Sequence, residues 1–358
     1  MTPADVVANV KAGERIEGKQ LAGLDFRGLD LSGGLFAQTD FSGANFAGAD
    51  LRGSLFEDCR LAQADFDGAQ LGRCALDRCD GTQAHMRGVF MDDIAFNECN
   101  LTGAVFDHAE STMSNFVACA LDDASFRALR CDILVFAEGS LSRTDFSDCY
   151  LKYTTFYEAD LRTARFSGCR FQQAVFVEAN LAGQSFREQS FAHCQFIDAQ
   201  MRDCDFERAT LSACNFMGAM LEGARFTGAH APNCVFLNAK MRDVQASDAF
   251  LMQGIWVDAQ VEGVNFARSN LEQAVFHRAR CSGADFRGAR LVFADFAHAD
   301  LRQADLREAT LLRTHMHRAL LDGARIDDRS GFLQPDPDVL AAEEFSARRS
   351  QRRRQERP

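Results

Sequence analysis

An apolar residue recurs at every fifth position along most of the chain. The register starts at Leu21 and reaches Ile326 without an insertion or a deletion, and only Gly81 and Ser111 among its 62 central positions are not apolar. A period of five fits neither an α-helix, which needs 3.6, nor a simple strand, which needs 2. Such a long fixed period is typical of one repeat architecture rather than of two or three ordinary domains.

Each central residue has regular neighbours. The residue two positions earlier is small, as at Ala44 and Cys59, and the residue two positions later is often Gly. The centres tend to alternate between Leu and Phe, so four pentads form a natural unit of twenty residues. Residues 64–68 read Ala-Asp-Phe-Asp-Gly and residues 284–288 read Ala-Asp-Phe-Arg-Gly. These segments resemble the pentapeptide-repeat family, and the resemblance covers residues 21–326.

The resemblance implies an all-β fold, a right-handed quadrilateral β-helix with one pentad per side and four sides per coil. The centre and the small residue would point inward and the other three residues outward. One coil cannot bury its own centres, but stacked coils build a continuous core. At the strand spacing of roughly 4.8 Å, about fifteen coils would make a rod roughly 70–75 Å long.

Both ends of the repeat need caps, because the terminal coils expose strand edges. Residues 1–20 are predicted to form an N-terminal capping helix, since Thr2-Pro3-Ala4-Asp5 precedes three valines. Residues 21–326 form the predicted β-helix. Residues 327–358 are predicted to hold a second short helix around Val339, Leu340 and Phe345, followed by an arginine-rich tail.

The chain has 32 Phe but only 3 Tyr and 1 Trp. Most of the Phe residues, such as Phe176, are repeat centres, so the excess indicates a stacked core. The single Trp256 lies across the same coil from Ala246, where a Phe is expected. A larger ring opposite a smaller residue conserves core volume, and Trp256 is therefore interpreted as structural.

The thirteen cysteines also follow the register. Eleven occupy the small inward position, and Cys131 and Cys281 are centres. Their odd number and inward placement predict reduced, buried thiols rather than disulfides or metal ligands. Four histidines on one side near the C-terminal end, His277, His298, His315 and His317, leave transition-metal binding open. The overall prediction is nevertheless no metal and no cofactor.

No catalytic signature is present in the sequence. It lacks a glycine-rich phosphate loop, a serine nucleophile elbow and a zinc-protease helix motif. We therefore expect a protein that is not an enzyme. The sequence also lacks an apolar run of 18 residues, and its first 19 residues have no apolar signal-peptide core. We expect a cytoplasmic protein without membrane insertion.

The four sides, called here by their first centres Leu21, Phe26, Leu31 and Phe36, differ in their outward residues. The Phe36 side carries 10 acidic and 3 basic outward residues, whereas the other sides are nearly balanced. It also presents an apolar column and, beside it, a column of carboxylates. The apolar column includes Val117, Val177, Ile197, Met217, Leu237 and Val257, and the carboxylates are Glu138, Glu158, Glu178 and Asp198. An apolar surface of this extent usually marks an interaction site.

All three tyrosines lie within eight residues. Tyr150, Tyr153 and Tyr157 are all predicted to point outward near one corner, and clustered exposed tyrosines are typical of binding hot spots. These tyrosines, the apolar column and the carboxylates form the predicted partner-binding site.

Two functions are compatible with these features. The first is a non-enzymatic scaffold that binds a protein partner or a second copy of itself as a homodimer. The lead sequence Met1-Thr2-Pro3-Ala4-Asp5-Val6 resembles pentapeptide-repeat proteins of bacterial type VI secretion, which implies an accessory or cargo-loading role. The alternative is DNA mimicry. Some family members resemble B-form DNA and bind type II topoisomerases such as gyrase, and a net charge of −12 permits this. Neither function predicts nucleic-acid binding.

Overall fold

Residues twenty apart in the chain lie side by side in parallel pairing. The computed structural model describes residues 1–333, 337–338, 340–342 and 345–346. Bridges join Gln20 to Asp40 and continue in the same step as far as Asp305 and Arg325. This step of four pentads per turn makes the chain a parallel β-solenoid with four sides, as the sequence predicts.

Within residues 1–333, the helix α1 precedes twelve short parallel strands. The elements are α1 Pro3–Lys11, β1 Arg15–Glu17, β2 Leu35–Ala37, β3 Leu55–Glu57, β4 Ala75–Asp77, β5 Phe90–Asp92, β6 Ala95–Asn97, β7 Glu110–Val117, β8 Arg130–Ala137, β9 Tyr150–Tyr157, β10 Arg170–Gln172, β11 Ser190–Ala192 and β12 Thr210–Ser212. The ladder follows chain order, except that β5 pairs with β7 beside β6. Strands β7, β8 and β9 are eight residues long and run from the Leu31 side onto the Phe36 side.

The strands span fewer turns than the sequence suggests. They extend over about ten turns, between Arg15 and Ser212, rather than over the predicted fifteen coils. Beyond Ser212 isolated bridges join the residue before a centre to its equivalent in the next turn, as Val235 to Ile255, and a further bridge joins Thr314 to Phe332. A side of five residues bounded by two turns leaves little length for a strand, so the register continues there as isolated bridges.

A tight turn closes each corner. In the turn that begins at Phe41, the Ala44 amide donates to the Phe41 carbonyl at 2.9 Å, and Gly43 between them has a φ of 64°. A positive φ at the third residue is the arrangement of a type II turn, which favours glycine. Twenty of these corner positions are glycine, but 42 carry side chains. The stacked coils therefore impose the left-handed conformation even where no glycine is present.

Phenylalanine rings stack through the interior from turn to turn. Phe176 is fully buried and stacks between Phe156 and Phe196, with ring centroids 5.1 and 5.0 Å away. It also meets Phe171 at 5.8 Å in an edge-on arrangement. Offset stacks and edge contacts of this kind add to the free energy gained by burying the rings.

Removing one of these rings tests the inward assignment. We expect Phe176→Ala to lower the free energy of unfolding by about 3–5 kcal/mol, because it leaves a cavity in a column that cannot collapse. Denaturant unfolding followed by circular dichroism measures this. A midpoint unchanged from wild type would contradict the assignment of Phe176 to the core.

Trp256 occupies the core as part of the same stack. It is fully buried between Phe236 and Phe276, at 5.1 and 4.7 Å, and Ala246 is buried in the same turn. Its Nε1 is buried and has no hydrogen-bond partner among the described residues, so the ring serves to fill volume. Gly254 gives the indole additional space, since an added Cβ at this position would lie 2.5 Å from the indole ring.

The close approach of Gly254 to the indole predicts that substitutions at Gly254 and Trp256 are energetically coupled. We expect Gly254→Ala to cost about 1–3 kcal/mol because the new methyl overpacks the indole. In a Trp256→Phe background the same change restores the common Ala-x-Phe combination, so its cost falls below about 0.5 kcal/mol. Unfolding free energies of the four proteins in the cycle measure the coupling, and equal costs in both backgrounds would disprove the steric explanation.

The small inward position also supplies hydrogen-bond donors. The thiols of Cys74, Cys149 and Cys234 donate to carbonyls 23 residues earlier, at 2.7, 2.9 and 2.7 Å. The hydroxyls of Ser54 and Thr144 make the same bond at 2.9 Å. Residues at this position therefore tie neighbouring turns together as well as filling space.

All thirteen cysteines are buried and free of disulfides, as predicted. Burial raises the pKa of the Cys74 thiol to about 12 and that of Cys131 to about 11. Such thiols stay protonated at neutral pH and are poor nucleophiles and metal ligands.

The N-terminal helix covers the first turn. The Asp5 amide donates to the Thr2 hydroxyl at 3.3 Å and the Thr2 amide donates to the Asp5 carboxylate at 2.7 Å, which forms a capping box. Val6 and Val10 are buried against the core. At the other end, residues 337–338, 340–342 and 345–346 are helical, whereas Val339 and the predicted arginine-rich tail lie outside the described residues.

Candidate functional site

The Phe36 side exposes two parallel columns of apolar side chains, which we call the apolar face. Their side chains project from the ladder and are half-buried by their neighbours in adjacent turns, and Tyr157 and Ile255 are exposed. One column contains Val117, Ala137, Tyr157, Val177, Ile197, Met217, Leu237 and Val257, and the other contains Val135, Val175, Val235, Ile255 and Val275. The parallel register fixes their order, since Ala137 stands directly beside Tyr157.

Four carboxylates border this face in consecutive turns, and we call them the acidic ladder. Glu138, Glu158, Glu178 and Asp198 all occupy corner positions with φ between 51° and 59°, and all four are exposed. None of them has a basic side chain within 4.0 Å in the described part of the chain. Elsewhere carboxylates are paired, as Asp123 is with Arg143 at 2.6 Å. Unpaired like charges stacked in neighbouring strands destabilise a fold, so the ladder is a costly arrangement.

The carboxylates of the acidic ladder influence the ionisation of Tyr157. The pKa of Tyr157 is raised, first by a hydrogen bond to the Glu158 side chain and further by the negative charges around it. Its ring is 43% exposed, so a large aromatic side chain lies in contact with water between the apolar column and the carboxylates. An exposed tyrosine beside unpaired charges is typical of an interaction hot spot.

The three tyrosines all lie on β9. Tyr150 is on the Leu31 side, where its hydroxyl donates to the Gln172 side chain at 2.5 Å. Tyr153 occupies the corner with a φ of 48°, and Tyr157 lies on the Phe36 side. The three tyrosines therefore lie at and on either side of one corner, and their shared role in binding stays a prediction. Only Tyr153 and Tyr157 adjoin the apolar face.

Two exposed apolar residues at the same corner escaped the sequence interpretation. Met113 and Ile133 precede Tyr153 in the two turns before it and are 55% and 43% exposed. Ile133 has a φ of 67°, which is a strained conformation for a β-branched residue. The signal was available, since corner positions are otherwise mostly Gly or polar. Together, Met113, Ile133 and Tyr153 extend the apolar face around its corner.

A narrow slit opens into the core beside the acidic ladder. Gly139 occupies the inward position where other turns have Ala or Cys, and an added Cβ would lie 2.3 Å from the Cys119 carbonyl oxygen. Tyr157 and Glu138 line this slit, whose volume is about 10 Å³. That is room for about one water molecule, so the slit cannot hold a substrate.

A much larger concave feature lies along another corner. A groove of about 890 Å³ is lined by His108, Glu110, Arg130, Asp148, Tyr150 and Arg170, among others. It is open to solvent, and its basic and acidic groups are mixed. A general acid or base needs a shaped, water-poor pocket, which this groove does not provide.

The four C-terminal histidines lie close together. Ring centroids are 5.5 Å apart between His277 and His298, 5.5 Å between His298 and His317, and 5.9 Å between His315 and His317. The His315 Nδ1 lies 3.0 Å from the Asp295 carboxylate, a partner that sequence reasoning did not foresee. Metal binding by these histidines stays a hypothesis.

Another set of potential ligands is closer together. Single ligand atoms of Asp65, Asp67 and His85 lie within 4.8 Å of one another on the Phe26 side. The Asp67 carboxylate, however, already accepts a hydrogen bond from the Arg87 amide at 2.8 Å. Exposed acidic groups in a repeat often approach in this way, and we assign no metal to them.

Models of known families match most of the chain. The family described as "Pentapeptide repeat region" matches residues 140–216, and the family described as "Pentapeptide repeats (8 copies)" matches residues 20–58, 59–94, 219–254, 257–291 and 289–328. The chain belongs to the pentapeptide-repeat family. No curated protein matches this pentapeptide-repeat chain. In the described part of the chain, every helix is too short or too polar to cross a membrane.

Several solved structures resemble this pentapeptide-repeat protein. A trypsin-treated variant of QnrB1, a plasmid-mediated fluoroquinolone resistance protein, is 20% identical with a TM-score of 0.34, covering 50% of this chain and 87% of its own. HetL from the cyanobacterium Nostoc, involved in heterocyst differentiation regulation, is 19% identical with a TM-score of 0.14, covering 89% and 98%. A pentapeptide repeat protein of the Arabidopsis thaliana thylakoid lumen is 31% identical with a TM-score of 0.21, covering 27% and 65%.

Proposed function

We propose that this protein is a non-enzymatic scaffold that binds a protein partner through its apolar face and acidic ladder. The observation that carries the proposal is the acidic ladder itself. Glu138, Glu158 and Glu178 repel one another in consecutive turns without a basic neighbour, although arginines pair with carboxylates elsewhere on the surface. A basic group supplied by a partner would relieve this repulsion.

The apolar face adds the contact area that such a partner needs. Its two columns extend over about eight turns from Val117 to Val257, or roughly 35–40 Å at the strand spacing. Contiguous apolar surface of more than a few hundred Å² usually marks a binding site on a monomer. Part of the bias reflects the preference of strands for β-branched residues, but that preference does not explain the exposed Tyr157 or the unbranched Met217.

The rigidity of the solenoid favours binding. Tyr157 is held by both neighbouring turns, because it pairs with Ala137 of β8 and the amides on either side of it donate to the Val175 and Val177 carbonyls. A surface that is ordered before binding loses little conformational entropy when the partner docks. Binding without catalysis is the function that such a preorganised face supports best.

Two charges placed in the face test this function. We expect Tyr157→Glu with Ile197→Glu to abolish partner binding and to leave folding intact, because both side chains are outward and the substitutions bury carboxylates at the interface. Affinity purification from the native cell with mass spectrometry compares the variant with wild type.

The matched control places two glutamates on the opposite Phe26 side. Ser167→Glu with Thr227→Glu adds the same charge at outward positions of that side and should keep the partners. Retention of every partner by the Tyr157/Ile197 variant, with a wild-type circular dichroism spectrum, would contradict the proposal.

DNA mimicry is the alternative, and the surface weighs against it. A mimic needs a continuous negative field. Here many carboxylates are neutralised by arginines, such as Asp248 by Arg268 at 2.7 Å and Asp300 by Arg302 at 2.6 Å. The most acidic side is also the most apolar one, unlike a phosphate backbone.

Gyrase assays separate the two functions. We expect the purified protein neither to inhibit DNA supercoiling by gyrase nor to protect gyrase from a quinolone, because its charges do not form a phosphate-like track. The readout is supercoiling of relaxed plasmid over a range of protein concentrations. Clear inhibition or protection at low micromolar protein would favour mimicry instead.

A role in type VI secretion is a narrower version of the scaffold proposal. It rests on the lead sequence alone, and Thr2, Pro3 and Asp5 of that lead are accounted for by the cap of α1. Identification of a secretion component among the purified partners would support it.

A further inference from the structure

The apolar face has unpaired charges of only one sign over most of its length. Between Asn115 and Asp258, the outward positions of the Phe36 side include no lysine, arginine or histidine, whereas they include the four carboxylates of the acidic ladder and Asp258. Arg278 neutralises Asp258 at 2.6 Å, so the net negative charge of this stretch comes from the acidic ladder. Two copies of the face would therefore repel each other, and a partner with basic side chains would be attracted.

The backbone of the apolar face is already paired from turn to turn. The Glu178 amide donates to the Ile197 carbonyl at 3.0 Å, and the Asp198 amide donates to the Met217 carbonyl at 2.9 Å. Strand addition needs unpaired amides and carbonyls at a sheet edge, and a solenoid has such edges at its two ends rather than along a side. An extended partner segment would therefore have to bind the apolar columns through its side chains alone.

A partner on this face must satisfy the hydrogen bonds of its own backbone. An extended segment on apolar side chains would bury amides and carbonyls without hydrogen bonds, which costs free energy. An α-helix pairs these groups internally and presents a stripe of apolar side chains, so it avoids this cost. The columns of the face are perpendicular to the strands, and a helix that follows them would lie along the axis of the solenoid.

The spacing of the acidic ladder also favours a helix. Its carboxylates recur once per turn, at roughly 4.8 Å. Basic residues that alternate between three and four positions apart recur every ~5.25 Å along a helix, because each residue rises 1.5 Å. Between Glu138 and Asp198 the mismatch grows to only ~1.4 Å, which long basic side chains absorb. Basic residues at every second position of a strand recur every ~6.6 Å, and their mismatch over the same three turns would be ~5.4 Å.

The order of the columns determines which helix fits. Each carboxylate of the acidic ladder directly follows a residue of the apolar column, as Glu178 follows Val177 and Asp198 follows Ile197. The two columns are thus about 3.3 Å apart along each strand. A complementary helix must carry its basic residues immediately beside its apolar stripe rather than on the opposite side. The Tyr157 ring, which is 43% exposed, lies at this boundary, where a lysine or arginine also binds favourably to an aromatic ring.

We propose that the apolar face binds an amphipathic α-helix of a partner protein, with a basic flank, along the axis of the solenoid. The apolar stripe of this helix packs on the column from Ala137 to Val257, and its basic residues pair with the acidic ladder. This inference rests on the proposed function, which identifies the face as an interaction surface, and it goes further by naming the secondary structure and the charge of the partner. The full face accommodates a helix of about 25 residues at 1.5 Å per residue.

A designed peptide of about 25 residues tests the inference on the full chain. It has leucine at heptad positions a and d, lysine at positions b and e of two consecutive heptads, and alanine or glutamine elsewhere. These four lysines lie along one flank of the leucine stripe and can each pair with one carboxylate of the acidic ladder. A second peptide replaces two central residues at position f with proline, which breaks the helix but keeps every leucine and lysine.

Two variants of the protein complete the test. Glu138→Arg with Glu178→Arg reverses two charges of the acidic ladder, and corner positions tolerate arginine, since Arg143 occupies one at a φ of 57°. The matched control, Asp148→Arg with Glu188→Arg, makes the same change two turns apart at the diagonally opposite corner. Both variants therefore have the same net charge, and only the first changes the apolar face. Circular dichroism and thermal melts check that both fold.

The measurement is the fluorescence anisotropy of a labelled peptide titrated with protein. We expect the helical peptide to bind wild type with a dissociation constant below about 10 μM. The proline peptide should bind at least about tenfold more weakly, because it cannot be ordered as a helix. The Glu138/Glu178 variant should bind the helical peptide at least about tenfold more weakly than wild type, and the control should bind it as wild type does. The difference circular dichroism spectrum should show added helix on binding.

The outcomes separate this inference from the proposed function. No binding of the helical peptide at about 100 μM protein would overturn the basic helix. Equal binding of the proline peptide, equal binding by the Glu138/Glu178 variant or loss of binding by the control would do the same. If the helix is overturned but Tyr157→Glu with Ile197→Glu still loses a purified partner, the face binds a partner of other chemistry and only the helix is wrong. If the peptide behaves as expected but that variant keeps every partner, the proposed function is wrong about the surface that the purified partners use. If neither measurement responds, both proposals fail.

Discussion

The hydrogen bond between one turn and the next determines the rest of this structure. Amides of central residues donate to carbonyls nineteen positions later, as Phe26 does to Asn45 at 2.6 Å and Phe46 to Asp65 at 2.6 Å. An insertion anywhere would displace every later pair, which explains the unbroken period of the sequence. The same bonds convert a linear repeat into columns, so that equivalent side chains of successive turns lie about 4.8 Å apart. Core stacks, thiol bonds and surface ladders all follow from this register.

The fold could be predicted because its signal is periodic. The position of a residue in the pentad decides whether it points inward, and Phe176, Trp256 and the cysteines all lie where the period places them. The extent of the strands could not be predicted in this way. The sequence does not indicate in which turns two adjacent sides join into one strand, as they do in β7, β8 and β9.

The sequence predicts which residues of the candidate site lie in the same column, but not how their side chains are placed on the surface. The apolar column and the four carboxylates follow from the register, whereas the absence of basic groups near Glu158 depends on side-chain positions. The hydrogen bond from Tyr150 to Gln172 likewise depends on side-chain positions. Ile133 was overlooked because the pattern gives no weight to a strained backbone, and Gly254 because its role depends on the indole beside it.

The near-identity of successive turns has a consequence for any partner that lies along the apolar face. Valine, isoleucine and leucine side chains repeat at the same spacing, so a partner that slides by one turn exchanges one apolar contact for another of almost equal strength. Hydrophobic contact alone would leave the partner free to occupy several offsets. The carboxylates break this degeneracy because the ladder starts at Glu138 and stops at Asp198. The charged residues therefore select one alignment of the partner among the several that hydrophobic contact allows.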